Sequence, residues 1–95
     1  MQIQRKQIDH KGMFYIEQNG KRVAEMTYTM HGDGFMTIDH TEVDDVLKGK
    51  NIGYQLVKAG VEYAREQHIK ILPLCPFAKA VFEKRAAEFE DVLKK

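Results

Sequence analysis

The stretch Lys48-Gly49-Lys50-Asn51-Ile52-Gly53 leads directly into a segment with helical spacing. Two glycines and an asparagine give this loop access to positive φ, which lets its backbone N–H groups converge. The helix that follows begins with unpaired N–H donors and the positive end of its dipole. The stretch therefore predicts an anion site suited to a phosphate or pyrophosphate, with an ordinary loop-to-helix connection as the alternative.

Composition restricts the class of protein. The 95 residues suffice for one domain, and 43% apolar with 31% charged residues is typical of a globular protein. The formal net charge is only +1, whereas nucleic-acid binders carry a clear excess of positive charge. The longest apolar run in the first half, Met13 to Ile16, is too short for a signal peptide or a membrane span. Cys75 is the only cysteine, which agrees with a reducing compartment. We therefore predict one cytoplasmic domain, residues 1–95, without nucleic-acid or membrane partners.

The hydrophobic pattern predicts the order of secondary-structure elements. The predicted elements are strands at 3–9, 13–18, 22–31 and 35–43, a helix at 52–67, a strand at 69–75, and a helix at 77–93 with a break near 85–87. Asn19-Gly20, between the second and third strands, is a strong two-residue hairpin signal. The order ββββ-α-β-α predicts an α+β fold, a mixed and mostly antiparallel sheet with helices packed on it.

Residues 35–43 alternate, so their side chains should point to opposite faces of the sheet. One predicted set contains Met36, Ile38, His40 and Glu42, and the other contains Phe35, Thr37, Asp39, Thr41 and Val43. A crossover helix would place this strand beside residues 69–75, which would bring His40 close to Cys75. Such a pair supports nucleophilic or acid–base chemistry, and a structural histidine is the alternative.

Cys75-Pro76-Phe77 is the second informative stretch. Proline is favoured at the first position of a helix, so Cys75 is predicted to cap the last one, where the helix dipole favours a thiolate. Strand ends that meet helix starts are also where α/β proteins bind ligands. The alternative is that Cys75 is a small buried hydrophobe. The histidines show no metal-ligand spacing with one another or with Cys75, and we predict no metal site.

These segments together resemble the small, single-domain members of the GNAT superfamily of N-acetyltransferases. The resemblance rests on Ile38-Asp39-His40-Thr41-Glu42-Val43, on the loop at residues 48–53, and on Ile71-Leu72-Pro73-Leu74-Cys75-Pro76-Phe77. It implies the minimal GNAT fold of acyl-CoA N-acyltransferases, with acetyl-CoA (coenzyme A) as the ligand. The superfamily's pyrophosphate loop has the form Gln/Arg-x-x-Gly-x-Gly/Ala, in which Lys48 here replaces the arginine and Asn51 the first glycine.

The resemblance also implies roles for individual residues. The cofactor-binding residues would be Thr41, Glu42, Val43, Lys48, Gly49, Lys50, Asn51, Ile52, Gly53, Pro76 and Phe77. The pantetheine arm would run between the splayed strands of residues 35–43 and 69–75. His40 would be the catalytic base, and Cys75 would either protonate the leaving CoA thiolate or become transiently acetylated.

We therefore predict an acetyl-CoA-dependent N-acetyltransferase, a monomer or weak homodimer, acting on a small-molecule or protein amine. Larger relatives carry extra helices and strands that build the acceptor site. No tyrosine follows Cys75 in this sequence, so the tyrosine that is a common general acid in the superfamily has no counterpart in the last helix. One alternative is a CoA-binding module with little turnover, which would bind acetyl-CoA and form no product. Another alternative is a small interaction domain, which would bind no CoA.

Overall fold

In the computed structural model, which describes residues 2–95, five strands form one mixed sheet. The strands are β1 (Gln4–Ile8), β2 (Lys11–Gln18), β3 (Lys21–His31), β4 (Phe35–Val43) and β5 (Lys70–Pro73). The helices are α1 (Ile52–Gln67), α2 (Pro76–Lys84) and α3 (Ala86–Phe89), with 3₁₀ turns at Asp45–Leu47 and Glu90–Val92. The first four strands pair antiparallel in chain order, and β5 joins β4 in parallel. The predicted α+β fold class is confirmed.

The hairpin between β2 and β3 turns where Asn19-Gly20 predicts. Both residues have positive φ, 53° and 78°, and Gln18 pairs with Lys21 across the turn. Positive φ at both central positions defines the turn type whose twist matches the flanking strands. The local sequence therefore sets the register of this pair.

The core lies between one face of the sheet and the helices. The buried residues of α1 are Ile52, Gly53, Leu56, Val57, Gly60, Val61 and Ala64. Gly60 permits close packing, because a Cβ there would lie 3.0 Å from the end of the Met26 side chain. Phe82 of α2 and Phe89 of α3 belong to the same cluster, so all three helices share one layer. Within residues 2–95, no helix is both long and apolar enough to cross a membrane.

The other face of the sheet is open. Side chains such as Tyr15 and Thr27 point there, and they lie outside the core cluster. Among residues 2–95, the helices contribute their buried side chains only to the covered face. The sheet therefore separates a helix-covered face from an open face, and both are relevant to the candidate site.

A β-bulge interrupts β4. Thr27 of β3 pairs with His40, but the next residue, Tyr28, pairs with Ile38, so β4 contains one extra residue at Asp39. Such a bulge bends the strand and shifts the alternation of its side chains by one position.

The bulge corrects the predicted alternation of β4. Beyond it, Thr41 pairs with the fully buried Met26, which places Thr41 on the covered face. His40 and Glu42 therefore point to the open face. The prediction that they share a face with Ile38 is wrong, because the alternation does not continue unbroken through the extra residue.

The last helical segment ends one residue earlier than predicted. The break near residues 85–87 is confirmed, because Arg85 (φ −114°, ψ 34°) separates α2 from α3. The predicted continuation to residue 93 is confirmed as far as residue 92, as α3 and then a 3₁₀ turn, and fails at Leu93. Leu93 forms a parallel bridge with Ile71, and the Lys94 N–H donates to the Ile71 carbonyl at 2.8 Å. The chain end therefore extends along the outer edge of β5, which a helix could not do.

Candidate active site

β4 and β5 separate where their parallel pairing ends. Their last pair is Ile38 with Pro73, and the N–H groups of Leu74 and Cys75 then both donate to the Ile38 carbonyl, at 2.9 and 3.2 Å. β4 continues to residue 43, and in the described part of the chain no residue of β5 pairs with its last portion. We call the opening beside residues 39–43 the gap.

The loop at residues 48–53 has the backbone geometry of an anion site. Gly49 has φ 79°, and Asn51, the N-cap of α1, is left-handed with φ 59° and ψ 29°. The Asn51 side chain makes no capping hydrogen bond. The first turn of α1 is therefore left without a side-chain cap, as a phosphate-binding helix start requires.

A cleft of about 410 Å³ lies between this loop, the start of α1 and the flank of α2. Its lining includes seven of the predicted cofactor-binding residues: Val43, Lys48, Gly49, Asn51, Ile52, Gly53 and Phe77. The four others, Thr41, Glu42, Lys50 and Pro76, are outside this lining. Thr41 instead lies at the gap. The cleft thus brings the loop and the start of α2 together.

Six residues of this lining were not predicted from the sequence: Leu47, Tyr54, Ala80, Val81, Lys84 and Arg85. The Arg85 guanidinium lies over the Tyr54 ring, 4.4 Å from its centroid. The Tyr54 hydroxyl donates to the Glu88 carboxylate at 2.8 Å, and this hydrogen bond raises the pKa of Tyr54. The only feature of the sequence that could have indicated Arg85 was the predicted helix break near it. The arginine adds a cation to the cleft, which favours an anionic ligand.

Gly53 and Phe77 are in direct proximity. A Cβ at Gly53 would collide with the Phe77 ring, which is itself 44% exposed. A glycine at this position therefore lets α1 and α2 begin side by side. The exposed ring supplies an apolar surface to the cleft.

Cys75 caps α2, as predicted. Pro76 follows it in the first turn, and the Ala78 N–H donates to the Cys75 sulfur at 3.3 Å. The sulfur also lies 3.4 Å from the Thr41 hydroxyl, across the gap. Cys75 is 7% exposed and belongs to the core cluster. The start of α2 and the Ala78 N–H thus face the sulfur, and a thiol can serve as an acid or a nucleophile.

His40 does not form the predicted pair with Cys75. The bulge turns His40 to the open face, whereas Cys75 contacts Thr41 on the covered face. The His40 side chain is 60% exposed, and its Nε2 lies 3.2 Å from a Glu42 carboxylate oxygen. The two residues therefore flank the gap from opposite faces of the sheet.

Comparisons with known proteins agree with this geometry. The model of the GCN5-related N-acetyl-transferase family matches residues 13–92. The chain belongs to this family. A GCN5-like candidate N-acetyltransferase from Staphylococcus aureus, solved by NMR, is 38% identical to it, and the match covers 96% of this chain and 87% of that one with a TM-score of 0.70. The GNAT resemblance inferred from the sequence is confirmed.

Two larger structures are more distant and show the fold alone. The ribosomal-protein-S18-alanine N-acetyltransferase of Escherichia coli is 19% identical, with coverage of 82% of this chain and 53% of that one and a TM-score of 0.67. A predicted acetyltransferase from Clostridium acetobutylicum, solved with acetyl-CoA, is 16% identical, with coverage of 80% and 56% and a TM-score of 0.64. This GNAT chain spans little more than half of either protein. No curated protein matches it significantly.

Proposed function

We propose that this GNAT-family chain is an acetyl-CoA-dependent N-acetyltransferase that acts on an amine acceptor. The observation that carries the proposal is the uncapped, left-handed start of α1 at Asn51, which opens into a cleft. Family membership supports the reaction type, and the acetyl-CoA in the Clostridium acetobutylicum structure supports the choice of ligand.

The residues present fit the parts of acetyl-CoA. We assign the pyrophosphate to the backbone N–H groups of residues 48–53, with charge supplied by Lys48 and Arg85. The pantetheine arm would pass the exposed ring of Phe77 and hydrogen-bond the backbone of residues 41–43 at the gap. When bound, acetyl-CoA supplies the acetyl group as an activated thioester.

The two faces of the sheet provide separate proton-transfer groups. With the Nε2–H of His40 donating to Glu42, its Nδ1 is free to take the proton that the attacking amine loses. Cys75, on the covered face, gives its proton to the departing CoA thiolate. The Ala78 N–H and the positive end of α2 then stabilise the Cys75 thiolate, which regains a proton from solvent. A carbon–nitrogen bond forms and the carbon–sulfur bond of the thioester breaks.

Calorimetric titration with acetyl-CoA, followed by thiol release and mass spectrometry with a panel of amines, tests the proposal. We expect saturable binding and an acetylated product from at least one amine. Folded protein that does not bind acetyl-CoA would refute it. Binding without any product would support the second candidate, a CoA-binding module with little turnover, which the exposure of His40 on an open face also allows.

The intact mass after a brief incubation with acetyl-CoA separates the two roles of Cys75. Direct transfer predicts unmodified protein during turnover. One added acetyl group on the parent, and none on Cys75→Ser, would instead establish the covalent route.

A further inference from the structure

A second cleft, of about 790 Å³, lies on the open face of the sheet and has no role so far. It is lined by β1, β2 and β3 and by Asp39 at the bulge of β4. Because Asp39 directly follows Ile38, whose carbonyl holds Leu74 and Cys75, the β4 end of this outer cleft adjoins the gap. A ligand in the outer cleft would therefore approach the gap from the face opposite the acetyl-CoA cleft.

Asp39 is held rigidly at this end. The Thr29 hydroxyl donates to one carboxylate oxygen at 2.6 Å, and the Thr37 hydroxyl donates to the other at 2.9 Å. Thr37 is 5% exposed and also lies 3.3 Å from His31 Nε2. No ion pair within residues 2–95 includes Asp39. Asp39 is therefore an oriented carboxylate that lines a cleft and forms no ion pair with the described residues. Such a carboxylate is the partner that an ammonium group requires.

The opposite end of the outer cleft carries two lysines against one carboxylate, that of Asp9. Lys6 and Lys11 line it, together with the apolar side chains of Ile8 and Met13. Lys11 is in β2, two strands away from Asp39 in β4, so the backbones of the two residues lie about 10 Å apart at the usual strand spacing. The cleft therefore runs from a fixed negative charge at the gap, across apolar side chains, to positive charges about 10 Å away.

We propose that the outer cleft binds the acceptor, an aliphatic primary amine that carries an anionic group about 10 Å from its nitrogen, with the ammonium on Asp39. His40, the adjacent residue, also points to the open face, so the same amine lies beside the assigned base. The catalytic meaning of this site rests on the proposed function. The binding itself can be measured without acetyl-CoA.

The probe is 8-aminooctanoate, whose extended length matches the distance, with octylamine and octanoate as probes that each lack one charge. In ¹⁵N NMR titrations of the full chain we expect saturable shifts at the amides of Gly12, Thr27 and Asp39. Octylamine should bind several-fold more weakly, and octanoate should not produce these shifts. Asp39→Asn keeps the size of the side chain but should weaken binding of 8-aminooctanoate at least about tenfold. Asp33→Asn, in the exposed turn before β4, is the matched control and should bind like the parent.

The two proposals fail in different ways. Absence of saturable shifts, shifts confined to residues 48–53, or equal affinity of the parent and Asp39→Asn would each overturn the acceptor site, whatever acetyl-CoA does. If the probe binds as expected but acetyl-CoA does not, only the proposed function fails. With both intact, Asp39→Asn should raise KM for 8-aminooctanoate at least about tenfold without changing the Kd of acetyl-CoA. An unchanged KM would overturn the role of Asp39.

Discussion

The two helices beside the gap begin in opposite ways. α1 begins at Asn51 in the left-handed region with no side-chain cap, whereas α2 begins at Cys75 in extended conformation, with its own sulfur as the cap and Pro76 next. Each start presents N–H groups and the positive end of a dipole. In α1 the cap side chain makes no hydrogen bond to them, and in α2 one is used by a thiol of the protein. Under the proposed function, the difference divides the site into an end that binds acetyl-CoA and an end that reacts.

The largest expected effect is at the reactive end. If Cys75 protonates the leaving thiolate, Cys75→Ala should lower transferase activity at least about 100-fold, the scale of general acid catalysis. The Kd of acetyl-CoA should change less than about twofold. Steady-state kinetics and calorimetry measure the two. Removal of the cap should also lower the free energy of unfolding by about 1 kcal/mol.

Cys75→Ser is the matched control for that experiment. Serine is a good N-cap, so this variant should recover the stability lost in Cys75→Ala, but its hydroxyl is a much weaker acid than a thiol. Restored stability without restored activity would separate proton donation from capping. A fully active Cys75→Ala would place the acid elsewhere and remove the distinction between the two helix starts.

The next largest effect is expected at the binding end. Gly53→Val should weaken acetyl-CoA binding at least tenfold, about 1.4 kcal/mol, because the new side chain collides with the Phe77 ring and obstructs the approach to the backbone of α1. Titration calorimetry measures the affinity, and thermal unfolding checks that the variant is folded.

Gly32→Val is the matched control, since a Cβ at Gly32 meets no atom within 4 Å. If Gly53→Val is folded and binds like the parent, residues 48–53 are not the phosphate site. Gly53→Ala combined with Phe77→Ala sharpens the result. If the double variant binds acetyl-CoA more tightly than Gly53→Ala alone, displacement of the Phe77 ring causes the loss of affinity.

The features that local sequence encodes were predictable. Asn19-Gly20 sets a hairpin, and Pro76 sets a helix start, because each acts within a few residues. The extra residue at Asp39 was not predictable, since it is defined by how β4 pairs with β3. For the same reason, the face on which His40 lies could not be read from the alternation of β4 alone.

Contacts between distant elements could not be predicted from the sequence either. Arg85 reaches Tyr54 only because the break after α2 lets the chain turn back over α1. Leu93 fits the helical period of the last segment, yet it extends along β5, because the open edge of that strand offers backbone hydrogen bonds. The sequence therefore indicated the loop at residues 48–53 and Cys75 as candidate site residues, but not the arginine that lines the cleft.

A smaller effect is expected from the backbone conformation of Asn51. Its φ of 59° is costly for a β-branched residue and free for glycine, so Asn51→Val should lower the free energy of unfolding by about 1 kcal/mol. Asn51→Gly should match the parent in both stability and acetyl-CoA affinity. Urea unfolding and calorimetry measure these. If Asn51→Val is as stable as the parent, the left-handed start of α1 is not a constraint on the loop.

The smallest effect is expected at the other end of α1, where Arg65 donates two hydrogen bonds of 2.8 Å to the Asp91 carboxylate. The hydrogen bond from Arg65 lowers the pKa of Asp91 in the folded protein. The stabilisation is therefore fully present above the unfolded-state pKa of 3.8 and is lost as the pH falls through the lowered pKa of Asp91. Both side chains are about half exposed, 41% and 55%, so solvent screening keeps this contribution below about 1 kcal/mol.

Asp91→Asn tests whether the contrast between the helix starts is a local property. In urea unfolding, the variant should be less stable than the parent at pH 7, and the difference should shrink as the pH falls below 3.8. Acetyl-CoA affinity should not change, because the cleft at the start of α1 contains neither Arg65 nor Asp91. A clear loss of affinity would mean that this tie between α1 and the C-terminal turn also sets the position of Asn51, and the binding end would then depend on the whole helix rather than on its first turn.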